Sequence, residues 1–125
     1  MTVSLAEYHR LLARDMREDA LVSAIVRLAT GNGWRVVHQL PAMNAHGRYR
    51  TAIQGHKGFP DLVLASRHGV LFVECKTEAG SLEPDQRAWR DALQAAGADW
   101  RLWRPRDWYS GDIERVLVPA WEETP

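Results

Sequence analysis

Asp61, Glu74 and Lys76 are the residues most able to do chemistry, because each sits against an otherwise apolar run. Asp61 opens Asp61-Leu-Val-Leu-Ala65 directly after Gly58-Phe-Pro60, while Glu74 and Lys76 close Val70-Leu-Phe-Val-Glu-Cys-Lys76. Nearly continuous apolar runs of this length read as strands covered on both faces. Alternation along the second run puts Glu74 and Lys76 on one face with Val70 and Phe72, and turns Cys75 to the other. A carboxylate and an ammonium at the end of such a strand are costly unless paired or bound to a metal. Ser66-Arg-His-Gly69 fits a hairpin turn between the runs, which brings Asp61 beside Glu74 and Lys76. Two carboxylates so placed repel unless a cation lies between them, and a hard divalent ion with oxygen ligands, Mg²⁺ or Mn²⁺, is the natural one. Lys76 would then position an activated water or offset charge on an attacked phosphate.

Two further polar residues fall on helix faces that otherwise point inward. Glu18 precedes Leu21, Val22 and Ile25 at spacings of three, four and seven, so its carboxylate lies on the apolar side of a helix spanning about 17–30. Gln86 stands one turn before Trp89 and in line with Leu93. Both positions have a plainer reading as capping boxes, Asp15 with Glu18 and Glu83 with Gln86.

The elements that must carry these residues follow from periodicity and turn residues. A short helix over 5–13 leads, then the helix over 17–30 stopped by Gly31-Asn-Gly33, then a strand over 34–39. The stretch 41–58 is polar without a clear period and long for a connection, which marks it as functional or mobile. Strands over 61–65 and 70–76 precede a helix that starts at Pro84 and runs to Ala96, with Gly97 ending it. A strand over 99–104 and a helical turn around 112–117 complete an α/β chain of order α-α-β-β-β-α-β, a small mixed sheet with helices on its faces. Trp89 and Trp103 take inward positions, whereas Trp108 and Trp121 suit exposed or dimer-contact positions.

Composition bounds the function. The 125 residues fit one domain, 1–125, and 46% hydrophobic with 26% charged residues describe a globular chain. There is no apolar run long enough to span a membrane and no signal-peptide pattern, so a cytoplasmic setting is expected. One cysteine excludes a disulfide framework and a multi-cysteine zinc site. His38, His46 and His56 match no common ligand spacing, which argues against zinc altogether. The net charge is zero, 16 basic against 16 acidic residues, but it is unevenly spread. Residues 20–60 hold Arg27, Arg35, Arg48, Arg50 and Lys57 and no acid, a segment of +5; residues 1–19 sum to −1 and 61–125 to −4. Of these, Arg48, Arg50, His56 and Lys57 are candidate phosphate contacts on a loop beside the carboxylates, with ordinary solvated loop charge the competing reading.

Together, Glu18 on a leading helix, Gly33-Trp34, Gly58-Phe-Pro-Asp-Leu62, Glu74-Cys-Lys-Thr77, Pro84-Asp-Gln86 with Trp89, and Trp103-Arg-Pro105 resemble the VRR-NUC family of the PD-(D/E)xK nuclease superfamily, over about residues 16–117. The chain departs from the family pattern in having Cys75 where an aliphatic residue is usual, and Glu83 where Ser or Thr usually caps the helix. The resemblance implies a restriction-endonuclease-like fold and metal-dependent hydrolysis of phosphodiester bonds in DNA. It implies that Asp61, Glu74 and the backbone carbonyl of Cys75 ligate Mg²⁺ or Mn²⁺, that Lys76 is the catalytic lysine, that Glu18 is a metal or water-shell carboxylate, and that Gln86 orients the site. Stand-alone members resemble Holliday-junction resolvases, so a homodimer acting on branched DNA in repair or recombination, in a bacterial or phage-infected cell, is expected. Two symmetric nicks need two active sites, which also favours a C2 dimer. The alternatives are a flap or nicking nuclease without junction preference, and a catalytically silent DNA-binding accessory module.

Overall fold

In the computed structural model, residues 2–39, 42–43, 49–50 and 54–119 are described. Helix α1 (Leu5–Asp15) is started by Ser4, whose hydroxyl accepts the Glu7 N–H at 3.1 Å. Helix α2 (Glu18–Gly31) turns Leu21, Val22, Ile25 and Ala29 inward. Strands β1 (Arg35–His38), β4 (Leu62–Ser66), β5 (Gly69–Cys75) and β6 (Asp99–Trp103) form one sheet in the order β1-β4-β5-β6. A separate two-stranded ribbon joins β2 (Ala42–Met43) to β3 (Tyr49–Arg50). Helix α3 (Pro84–Ala95) carries the chain from β5 to β6, and α4 (Pro105–Tyr109) and α5 (Asp112–Leu117) follow.

The β4–β5 pair is antiparallel across the expected turn, with Ser66 opposite Gly69, and β5–β6 is parallel because α3 intervenes. On one face, Leu62, Leu64, Leu71, Val73 and Cys75 meet Leu21 and Ile25 of α2 and Ile113 and Leu117 of α5, a continuous buried core. Trp34 fills its edge and settles its indole N–H on the Leu117 carbonyl at 3.0 Å. On the other face, Phe72 stands edge-on to Phe59, and Phe59 edge-on to Trp89 of α3, with centroids 6.0 and 4.9 Å apart.

Several expectations change. Asp15 ends α1 instead of capping α2; Arg17 takes the N-cap position without a side-chain bond and Glu18 is the first helical residue, so the Asp15–Glu18 capping box does not form. The stretch 41–58 contains a ribbon, and Pro105 starts α4 where a plain strand end was expected. Trp103 is buried as expected, but Trp89 is half-buried and Trp108 packs partly against the core. Trp121 and His46 lie outside the described residues.

Candidate active site

Register places the acidic pair. Leu62 pairs with Val73 in the antiparallel β4–β5 ladder, so Asp61, one residue before, meets Glu74, one residue after. The Asp61 Oδ2 accepts the Cys75 backbone N–H at 2.8 Å, which locks the entry of β4 to the exit of β5. Upstream, Pro60 is buried and Gly58 has φ +93°, in the left-handed region. A Cβ at Gly58 would lie 2.6 Å from the Asp85 carbonyl carbon, so the loop that delivers Asp61 passes directly against the first turn of α3.

Glu74 is 1% exposed and points to the Phe72 side of the sheet, opposite Cys75. Its Oε1 accepts from Gln86 Nε2 at 3.0 Å, and Gln86 Oε1 accepts the Glu83 N–H at 2.8 Å. Gln86 therefore closes the start of α3 and also bonds the Glu74 carboxylate. Burial, then the charge and hydrogen bond of Asp61, push the Glu74 carboxyl up to about 9, and Lys76 only partly opposes them. Glu18 is also raised, by desolvation and then by Asp61, and its carboxyl senses Lys76 as well. Its residue is exposed, so it is not buried on the apolar face. Glu18, Asp61, Glu74 and Lys76 thus belong to one electrostatic cluster. Cys75 is fully buried in the core and burial raises its thiol well above the usual range, so its side chain is no nucleophile.

Lys57 is exposed and lies 3.6 Å from the Asp85 carboxylate, a surface pair of little energetic weight. His56 is exposed, and its backbone carbonyl accepts the Trp89 indole N–H at 3.2 Å. Arg50 is in β3, and Arg48 lies outside the described residues. A cavity of about 850 Å³ opens between α1 and α4, with Arg14 and Tyr109 among its walls, but none of the cluster lines it.

Among the described residues, no three His, Cys, Asp or Glu side chains close into a ready-made metal cage. The carboxylates that influence one another are Asp61 and Glu74, with Glu18 coupled to them. Sequence reasoning missed Arg104, whose guanidinium bonds the loop after Lys76; its only signal was its place inside the Trp103-Arg-Pro105 block.

The likenesses to known proteins agree with this geometry. The VRR-NUC domain family profile matches residues 7–106, which is 100 of 125 residues and includes the whole cluster. A solved structure described as a VRR_NUC domain superposes with a TM-score of 0.57 at 22% identity, covering 78% of this chain and 94% of that one. Among curated proteins nothing matches in sequence. With a family profile spanning four fifths of its length and a nuclease-type fold around the acidic pair, the chain belongs to the VRR-NUC family.

Proposed function

We propose that this protein is a divalent-metal-dependent endonuclease that hydrolyses phosphodiester bonds in branched DNA, acting as a homodimer. The observation that carries the reading is the buried Glu74 carboxyl against Asp61, with Lys76 beside them and Gln86 on Glu74. A core carboxyl raised so far is a poor structural element and a good ligand. Deprotonation there requires a positive charge at the same place.

The donors fit Mg²⁺ or Mn²⁺. They are all oxygens, and a pair of carboxylates without a closed cage suits an ion that keeps water and substrate phosphate among its ligands. Asp61, Glu74 and the Cys75 carbonyl would hold it, with Glu18 acting through its water shell. When bound, the ion supplies Lewis-acid polarisation of the scissile phosphate and lowers the pKa of a nearby water. The remaining work falls to the chain. Gln86 fixes one oxygen of Glu74 and leaves the other for ligation. Asp61 spends Oδ2 on the Cys75 N–H and so keeps its second oxygen oriented. Lys76 offsets negative charge that develops on the phosphate. Arg48, Arg50, His56 and Lys57 contribute phosphate contacts along the flanking loop.

The test is a labelled four-way junction beside a matched linear duplex, in Mg²⁺, in Mn²⁺ and in EDTA, with wild-type and Lys76→Ala protein. Paired metal-dependent nicks in the junction, lost in the variant, are expected. Equal cutting of both substrates would retain the nuclease and reject branch selectivity. Binding without cutting would establish the silent module instead. Size-exclusion chromatography with light scattering checks the dimer.

A further inference from the structure

We infer that Arg104 is a positioning residue for Lys76, acting through the turn Thr77–Gly80. This rests on the nuclease reading above and adds a residue to it. Lys76 leaves β5 with its N–H on the Trp103 carbonyl at 3.1 Å, so its backbone is tied to the last residue of β6. The residue after β6 is Arg104, the N-cap of α4. A single nitrogen of its guanidinium, Nη1, faces three carbonyls of the turn: Thr77 at 2.7 Å, Glu78 at 3.2 Å and Gly80 at 2.7 Å. Charged donors to backbone carbonyls are the stronger kind of hydrogen bond, and the two hydrogens of Nη1, at least one of them shared between carbonyls, tie three points of the turn together.

That shape bears on the lysine. The turn folds back so far that a Cβ on Gly80 would lie 3.5 Å from the Lys76 Cβ and 3.0 Å from the Thr77 hydroxyl. A side chain at Gly80 would thus crowd Thr77 and only touch Lys76, which places the turn beside the base of the Lys76 side chain. A second tether runs parallel: the Glu78 carboxylate accepts the Arg106 backbone N–H at 2.7 Å and its Nε at 3.1 Å. Arg104 itself is fixed by Asp107, whose Oδ2 accepts its N–H at 2.8 Å. Because one nitrogen makes all three contacts, an ammonium can replace it, whereas a fork that clasped a phosphate in two places would not be so replaced.

The experiment compares wild type, Arg104→Met, Arg104→Lys and Gly80→Ala in metal-dependent cleavage, with hydrogen exchange of the amides of residues 76–83. Arg104→Met is expected to lower kcat about tenfold or more, since small displacements of a reacting group carry that penalty. KM and half-saturating metal should stay within about twofold, the signature of a group acting in the chemical step. Arg104→Lys should recover most of kcat, and Gly80→Ala, whose Cβ would crowd the Thr77 hydroxyl of the same turn at 3.0 Å with Arg104 intact, should lower kcat in the same direction. Exchange should quicken in 76–83 but not in β4. Unchanged kcat and unchanged exchange in Arg104→Met overturn the inference, as does a loss confined to KM or no recovery by lysine. Should Arg104→Met not fold, Gly80→Ala and Arg104→Lys decide the matter on the same readouts. A wild type that cuts no DNA overturns the nuclease reading instead, and the exchange data still judge the clamp.

Discussion

A carboxyl group with 1% exposure beside a second carboxylate can keep a proton or acquire a cation, and Glu74 faces that choice. Without metal the proton wins. Its folded-state value, about 9, is above the ordinary carboxyl value, so the native state binds a proton that the unfolded chain has released. Stability from this group is therefore complete below the unfolded value and is lost as pH rises through the folded one. Glu18 shifts in the same direction and adds to the loss. In EDTA the unfolding midpoint should fall between about pH 5 and pH 9, and Glu74→Gln should flatten that fall. Mg²⁺ should raise the midpoint more at about pH 8.5 than at about pH 6, because the ion must displace the proton. Scanning fluorimetry across pH checks both; a metal effect independent of pH would mean that Glu74 is not a ligand. At the neighbouring position, the Cys75 side chain faces the core and only its backbone faces the site. Cys75→Ala should keep kcat while lowering stability by about 1 kcal/mol, read by denaturant unfolding. Thiol reagents should leave the native enzyme active.

The elements explain why some of this was legible in the sequence and some was not. The β4–β5 hairpin was readable because its two apolar runs and turn residues fix a register, and register alone brings Asp61 to Glu74. The face assignment of Glu74 against Cys75 followed from strand alternation. Gln86 was readable only as an ambiguity, since a capping residue and a site residue look alike at that spacing; here one amide both caps α3 and bonds Glu74. Helix α4 was missed because five residues after a proline carry no periodicity. The competing capping-box reading of Glu18 rested on Asp15 at N-cap spacing, and it falls because Asp15 stays in α1. Least legible was the dependence of the Asp61 loop on Gly58. At φ +93°, with Asp85 already where a Cβ would go, alanine suffers both backbone strain, about 1–3 kcal/mol, and a collision with backbone atoms. Gly58→Ala should lower the unfolding midpoint by several degrees and reduce cleavage more than a surface substitution such as Gly31→Ala, where nothing lies within 4 Å. Equal effects at the two glycines would mean that the loop does not need its close approach to α3.

At the scale of the whole molecule, a protein of zero net charge that acts on a polyanion must hold the polyanion locally. The basic segment 20–60, +5 without an acid, is balanced by −1 and −4 in the flanking segments. Long-range attraction is therefore weak, and affinity should come from few phosphate contacts. Counterion release gives a slope of log affinity against log salt of about −0.9 per phosphate neutralised on duplex DNA. Lys57 already has Asp85 at 3.6 Å, so its share is reduced. Per chain, binding should then show a slope between about −3 and −5, and Lys57→Ala should make it shallower by less than about 1. Fluorescence anisotropy of junction binding by Lys76→Ala protein, over a range of salt, gives the number without cleavage interfering. A much steeper slope would move the DNA path to arginines outside the segment, such as Arg10 and Arg14 on exposed positions of α1. A slope near zero would leave recognition to shape and hydrogen bonding, and would separate the loop cations from the function of the acidic pair.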